Sequence, residues 1–424
     1  MIGVLRSFLL ISLGSALLAQ APGQRGPLDP AFEKIPFDQW LGERGQGPFR
    51  WAVEPTRIEL TFHQRLIAQI EVKVDGRSLE SRRGDGELVV FYQITGREGT
   101  RYQAHATVQL SKLDENIKAA NLEVTHRAFV LPGDYQLAIG VLDAGTGEHS
   151  ATLSKFRVPA PRNFLPDAWH GLAPVEFIGQ EQPPDSWYLP GVDGRVQWAA
   201  SVHSPARINI ILNVAPSVPA PGTHHATSGG LAAVLPTLKV ISETGSPSVS
   251  EQVELLDLPR RRIPFQQDQV RNLDWPRLKA SLNDATTASI DVHSLTERHH
   301  DAQFFVSQVR SLLRASEKQP CVLVVLTNPV AFESGEDLEP ISTEALPACS
   351  VFYIRYHEPA PAFPQFDPQM GRSRSRRGGP VRNRPQEVVD QLEATLKPLR
   401  PKVFDVAMPE EVTKVLEEIE RSLR

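Results

Sequence analysis

Two stretches of this chain obey different rules. Tyr102-Gln-Ala-His-Ala-Thr-Val-Gln-Leu110 alternates apolar with polar residues, whereas Cys321-Val-Leu-Val-Val-Leu-Thr327 runs on without a charged break. A strand of period two lays one face on a core and the other in water, while a short continuous apolar run suits a strand covered on both faces. The two patterns occupy different halves of the sequence, so two domains are expected. With 424 residues, 41% of them hydrophobic and 22% charged, there is enough apolar material for two ordinary cores.

Period two begins near residue 50. Ile70-Glu-Val-Lys-Val74 ends at the turn pair Asp75-Gly76, and Tyr135, Leu137, Ile139 and Val141 alternate after Pro132-Gly133. Asp143-Ala-Gly-Thr-Gly-Glu148 then reverses the chain toward Phe156 and Val158. One-sided strands at this spacing predict an antiparallel β-sandwich, immunoglobulin- or fibronectin III-like, over residues 50–158. Pro159-Ala-Pro161 closes it, and residues 159–194 read as a linker.

Residues 195–424 read as strands alternating with helices. Ile208 to Val214 is a short apolar run, and Gly229-Gly-Leu-Ala-Ala-Val-Leu235 opens a helical stretch that Pro236 interrupts. Val253-Glu-Leu-Leu-Asp-Leu258 and Arg261-Arg-Ile-Pro-Phe265 suggest a strand pair. Phe305, Val309, Leu312 and Leu313 recur at helical spacing before the strand Cys321 to Leu326. Ser350 to Tyr356 and Val403-Phe-Asp-Val406 follow as strands, and Pro409 opens a helix with Val412, Val415, Leu416, Ile419 and Leu423 on one face. This alternation predicts an α/β doubly wound domain.

The N-terminus carries Arg6, the apolar run Ser7 to Leu18 and the small-residue exit Ala19-Gln-Ala21, the pattern of a secretory signal peptide over residues 1–21. Cleavage is expected after Ala19 or Ala21, and the run is too short for a membrane span. The destination is then periplasmic or extracellular. Residues 22–49 form a Pro/Gly-rich extension, loose or draped over the body. Two cysteines are too few to build a scaffold. Cys321 and Cys349 start apolar runs expected to be neighbouring strands, which leaves either a disulfide or two buried thiols. The formal charge of −5 is small for this length and gives no global pull toward nucleic acid or an anionic membrane.

On the strand Ile208 to Val214, the strand Val322-Leu-Val-Val-Leu-Thr327 ending at Asn328-Pro329, and Val403-Phe-Asp-Val406 with Pro409-Glu-Glu, the second half resembles a von Willebrand factor A-like domain. The whole chain resembles exported bacterial proteins that place such a domain behind a β-sandwich. The resemblance implies a metal site with Asp-x-Ser-x-Ser after the first strand, a Thr from another loop and a second Asp after the fourth strand. Carried over, these positions are Asn213, Ala215 and Ser217, with Thr286 or Thr287 for the loop Thr, and Asn328 for the later Asp. A hard divalent ion needs oxygen ligands and compensating charge. Two carboxylates replaced by amides and one hydroxyl by a methyl imply a degenerate site, without metal or cofactor.

Other candidate chemistry is weaker. His224-His225, His293 and His299-His300-Asp301 show no His-x-x-x-His spacing, and adjacent imidazoles on a helix diverge by about 100°, so solvated histidines are expected. There is no Gly-x-Ser-x-Gly elbow, phosphate loop or dinucleotide fingerprint. Within the loop 359–386, Arg372, Arg374, Arg376, Arg377, Arg382 and Arg384 stand without an acid between them. Such a run is either solvated or an arm for an acidic surface or polyanion. The expected function is an exported, non-catalytic protein-interaction protein with an unidentified protein partner. The competing reading is a hydrolase-type enzyme with a site at the domain junction around Trp169, His170 and Asp185-Ser186-Trp187.

Overall fold

The computed structural model describes residues 28–43, 50–82, 84, 86–114, 116–161, 169, 171–178, 202, 204–213, 227–242, 246, 248–268, 270, 273–286, 299–316, 319–327, 341, 349–356 and 390–424. The expected signal peptide, Ala215, Ser217, Thr287, Asn328 and the arginines of the loop 359–386 lie outside these residues, as do His170, Asp185 to Trp187, His224, His225 and His293. The protein is β-rich and has more than one sheet system.

The chain enters through a 3-10 turn, Pro30–Lys34, and a short helix, α1 (Phe37–Gly42). Ten strands and one helix then follow up to the start of the second half. They are β1 (Trp51–Val53), β2 (Arg57–Leu60), β3 (Leu66–Asp75), α2 (Gly76–Glu80), β4 (Glu87–Thr95), β5 (Arg101–Gln109), β6 (Asn121–Val130), β7 (Gly133–Asp143), β8 (His149–Val158), β9 (Val175–Phe177) and β10 (Ala206–Asn213). One antiparallel sheet has the order β1-β3-β6-β9 with β2 also paired to β3, and a second has the order β5-β4-β7-β8. In β3 burial alternates without exception, so Ala68, Ile70, Val72 and Val74 point inward. They meet Leu88, Val90, Tyr92, Ile94, Leu137 and Ile139 of the other sheet in one core. Burying each of the Val, Leu and Ile side chains among them stabilises by about 1.5–3 kcal/mol, which is how the period-two pattern selects the face.

Two local readings change on folding. Asp75-Gly76 does not turn a hairpin: Asp75 Oδ1 accepts from the Arg77 backbone N–H at 2.9 Å and caps α2. Gly76 is required there by close approach, since a Cβ would lie 1.8 Å from the Ile117 carbonyl oxygen. Within the segment expected to be linker, β9 pairs with β6 and extends the first sheet. Three residues joined to a distant strand leave no periodic trace of their own.

The second half continues with α3 (Thr227–Ser242), β11 (Val249–Asp257), β12 (Arg262–Asp268), α4 (Trp275–Thr286), α5 (His299–Arg314), β13 (Cys321–Thr327), β14 (Cys349–Tyr356), α6 (Gln391–Leu396), β15 (Lys402–Val406) and α7 (Pro409–Leu423). Its sheet has the order β12-β11-β10-β13-β14-β15. All pairings are parallel except β12 with β11. Ile208, Ile210 and Leu212 share a core with Leu238 of α3, Leu278 of α4 and Leu416 of α7. On the other face Ile211, Leu323 and Val325 meet Phe305 and Val309 of α5 and Leu392 of α6. Helices on both faces explain why every residue of β13 is buried. Pro236 sits inside α3 rather than ending it, and the Thr237 hydroxyl donates to the Ala233 carbonyl at 3.0 Å in the turn that the proline ring disturbs.

Candidate functional site

From β10 the chain crosses first to β11 and later to β13 on the opposite side, so the strand order reverses at β10. Doubly wound sheets bind ligands at the carboxyl ends of the strands flanking such a reversal. Here those ends are Asn213 and Thr327, which lie in register in parallel strands. The Asn213 amide Nδ2 donates to Thr327 Oγ1 at 3.0 Å, and both residues are buried. The amide thus spends a donor on a neighbouring hydroxyl, and neither group carries charge.

One strand further out, Asp257 ends β11 and is buried. Arg260 Nη1 reaches its Oδ2 at 3.1 Å and Arg262 Nε at 2.9 Å. This carboxylate is already compensated by two guanidinium groups. On the other flank Arg355 of β14 bonds Asp405 at 2.8 Å, Glu393 at 2.7 Å and Asp390 at 3.2 Å. Burial opposes the Arg355 charge, but the bonds to Asp405 and Asp390 outweigh it and raise its pKa above the ordinary value. Among the described residues, no group of three or more His, Cys, Asp or Glu side chains is arranged to hold a metal ion. His300 and Asp301 fall in the first turn of α5, where Asp301 stands 3.8 Å from Arg261.

Cys321 and Cys349 begin β13 and β14 directly opposite one another and are joined as a disulfide, with Cα atoms 4.7 Å apart. Of the two alternatives open from the sequence, the bridge is the one formed.

The junction between the halves is made by the turn from β2 to β3, Thr61 to Arg65. Gln64 has a left-handed backbone, φ 59°, and its side chain reaches across the seam. Its Nε2 donates to the Pro409 carbonyl at 2.8 Å, and its Oε1 accepts from the Thr413 hydroxyl at 2.6 Å, both in the first turns of α7. The Trp169 indole N–H donates to the Gln64 carbonyl at 2.7 Å. Arg65 pairs with Glu176 at 2.6 Å and lies 4.3 Å over the Phe129 ring. Phe62 packs edge-on against Tyr356, with ring centroids 6.5 Å apart.

His63 is buried beside these contacts, and its Nε2 has no hydrogen-bond partner among the described residues. Burial, then the positive charges of Lys239 and Arg65, push its pKa down to about 4, so the imidazole is neutral at pH 7. The Trp169 indole, which the competing hydrolase-type reading sets at the domain junction, serves as a strut under the seam turn. His63 and Gln64 carry no motif; only their place between two strands marks them in the sequence.

No protein-family model matches the chain, and no curated protein matches it. Solved structures with local likeness include the ApaA protein from Bordetella pertussis, 14% identical over 28% of this chain and 99% of that one, at a TM-score of 0.19. A late embryogenesis abundant protein is 12% identical over 28% of this chain and 75% of its own, at a TM-score of 0.18. A glycosyl hydrolase family 2 member from Bacteroides cellulosilyticus is 10% identical over 72% of this chain but 37% of its own, at a TM-score of 0.20. Likenesses this slight carry no argument about fold or activity. Among the described residues, no helix is long and apolar enough to cross a membrane.

Proposed function

We propose that the chain is an exported, non-catalytic protein-interaction protein, with a sandwich of immunoglobulin or fibronectin III type followed by a von Willebrand factor A-like domain that has lost its metal site. The observation that carries this reading is the buried bond from Asn213 to Thr327 at the point where the strand order reverses. The resemblance puts a metal-ligating carboxylate at Asn213; here an amide is satisfied by a neighbouring side chain, in a sheet of order β12-β11-β10-β13-β14-β15. A Mg²⁺ site deprived of two carboxylates has lost the charge that makes binding favourable. The disulfide Cys321–Cys349 supports export, because such bonds persist in oxidising compartments.

Calorimetry with Mg²⁺, Mn²⁺ and Ca²⁺ tests the reading. The natural chain is expected to give no binding heat, and the combined variant Asn213→Asp, Ala215→Ser, Asn328→Asp is expected to gain an isotherm. A saturable isotherm in the natural chain that disappears in Ser217→Ala would overturn the loss of the metal site.

A further inference from the structure

The turn Thr61 to Arg65 bonds across the seam at a cost to itself. Gln64 holds a left-handed backbone that residues with a Cβ rarely adopt. On either side of it His63 and Arg65 are 6% and 2% exposed, and His63 Nε2 and Arg65 Nη2 have no hydrogen-bond partner among the described residues. A buried polar nitrogen without a partner keeps its desolvation penalty. The His63 ring lies 6.3 Å from that of Phe129, and the Arg65 guanidinium stands 4.3 Å over the same ring, so imidazole and guanidinium share one aromatic surface. From the second half, the positive charge of Lys239 in α3 also acts on His63.

The carboxylates near the seam are committed elsewhere. Glu176 accepts from Arg65 Nη1 at 2.6 Å. In α7, Glu411 turns back on the backbone N–H groups of Ala407 and Met408 at 2.7 and 3.0 Å, while Glu410 and Lys414 are exposed. In β14 the Tyr356 hydroxyl is buried, and burial keeps it neutral. A proton on His63 would add a third positive charge to those of Arg65 and Lys239.

We propose that this turn is an acid-operated latch: protonation of His63 sets its charge against Arg65 and Lys239, and the turn lets go of α7 while the sandwich and the parallel sheet stay folded. What is released is small. It comprises the two Gln64 bonds to Pro409 and Thr413, the Trp169 bond to Gln64 and the edge contact of Phe62 with Tyr356. On release Gln64 can leave the left-handed region, and the unmet nitrogens of His63 and Arg65 reach water. His63 sits at about 4 in the closed turn against its ordinary 6.5, so opening takes up a proton between those values. The latch is therefore shut above pH 6.5, and its opening constant rises about tenfold per pH unit below it, to about 300-fold by pH 4. It uses no residue of the strand ends at Asn213 and Thr327, so it is independent of the metal-free reading.

The full chain tests this through exchange of the Trp169 indole proton, the donor to the Gln64 carbonyl. Exchange is followed by NMR from above pH 7 down to pH 4, corrected for the intrinsic rate of an indole and set beside backbone N–H groups of β13. Protection of the indole is expected to fall about 300-fold over this range, with β13 the better protected at every pH. His63→Phe keeps a ring against Phe129 but takes no proton, so its indole protection is expected to stay level; His63→Gln serves the same comparison should the first variant not fold. Protection that ignores pH in the natural chain, or a fall that persists in the His63 variant, overturns the proposal. Equal exchange of the indole and of β13 overturns it too, because the turn would then leave only when the chain unfolds.

Discussion

The two halves of the molecule hold their buried titratable groups in different settings. In the sandwich most polar side chains turn outward, and an inward imidazole can be left against hydrocarbon and aromatic rings. His126 of β6 is such a case: it stacks on Tyr92 at 4.9 Å, lies 5.2 Å from Phe177, and neither ring nitrogen has a partner among the described residues. Burial, with a smaller contribution from His105, pushes its pKa down to about 4. In the parallel sheet both faces are covered, so polar residues within strands must bond one another. Arg207 bonds Asn209 at 2.9 Å and also Gln252; Asn209 bonds Ser316 at 2.9 Å, and Gln252 bonds Glu254 at 2.9 Å. The row ends on Glu254 Oε2, which has no partner among the described residues, and burial followed by the charge of Asp268 raises this carboxyl to about 7. A neutral imidazole in one half and a protonatable carboxyl in the other make the halves respond to pH in opposite directions.

The largest expected effect separates the halves by their covalent difference. The disulfide closes a sequence separation of 28 residues in the parallel sheet alone, so Cys321→Ser with Cys349→Ser should cost about 3–4 kcal/mol. Urea unfolding followed by hydrogen exchange at β13 and at β3 should show the loss in the former only. Equal loss in both would mean that the halves unfold as one unit.

Acid comes next. His126 falls from 6.5 to about 4 on folding, so between those values the unfolded chain takes up a proton that the folded chain refuses. Stability is complete above pH 6.5 and declines toward pH 4, by about 3 kcal/mol for a shift of this size. His63 at the seam shifts in the same direction to the same value. His126→Phe should therefore remove roughly half of the acid-induced loss seen in denaturant titrations. An unchanged pH slope would show that His126 is not the group refusing the proton.

Glu254 runs the other way. Its carboxyl rises from 4.5 to about 7, so the folded chain keeps a proton that the unfolded chain has released. Stability is complete below pH 4.5 and falls as pH rises through 7. Glu254→Gln should stabilise the parallel sheet by about 2 kcal/mol above pH 7 and change little below pH 4.5. A gain of the same size at both ends of the range would point to packing instead of titration.

The smallest effect addresses what joins the halves. Gln64→Ala removes two hydrogen bonds across the seam and leaves the Pro409 carbonyl and Thr413 hydroxyl to find new partners, a loss of about 1–2 kcal/mol. The useful readout is cooperativity: the two halves should unfold further apart in temperature once the latch is removed. An unchanged separation would place their coupling in the continuous apolar core, which contains residues of both halves.

Much of this architecture is written locally. The alternation in β3, β5 and β7 and the unbroken runs of β10, β13 and β14 each follow from which faces a strand must bury, and the helix after Pro409 follows from its apolar spacing. The strand end at Asn213 was legible for the same reason, but the register that sets Thr327 opposite it was not. The resemblance grouped Asn213 with Asn328, which lies outside the described residues. A sliding register is invisible to periodicity because neighbouring residues satisfy it almost equally.

The sequence by itself determined which segments are one-sided strands, which are buried strands and which are amphipathic helices, because burial of apolar surface acts on each segment through its own period. Only the tertiary structure decided that residues 28–43 cover the outer face of a sheet, that β9 joins a strand far from it in sequence, and that Gln64 crosses to α7. Those contacts join residues distant in the chain and depend on shape, register and the geometry of individual hydrogen bonds. None of these leaves a repeating mark in the order of amino acids.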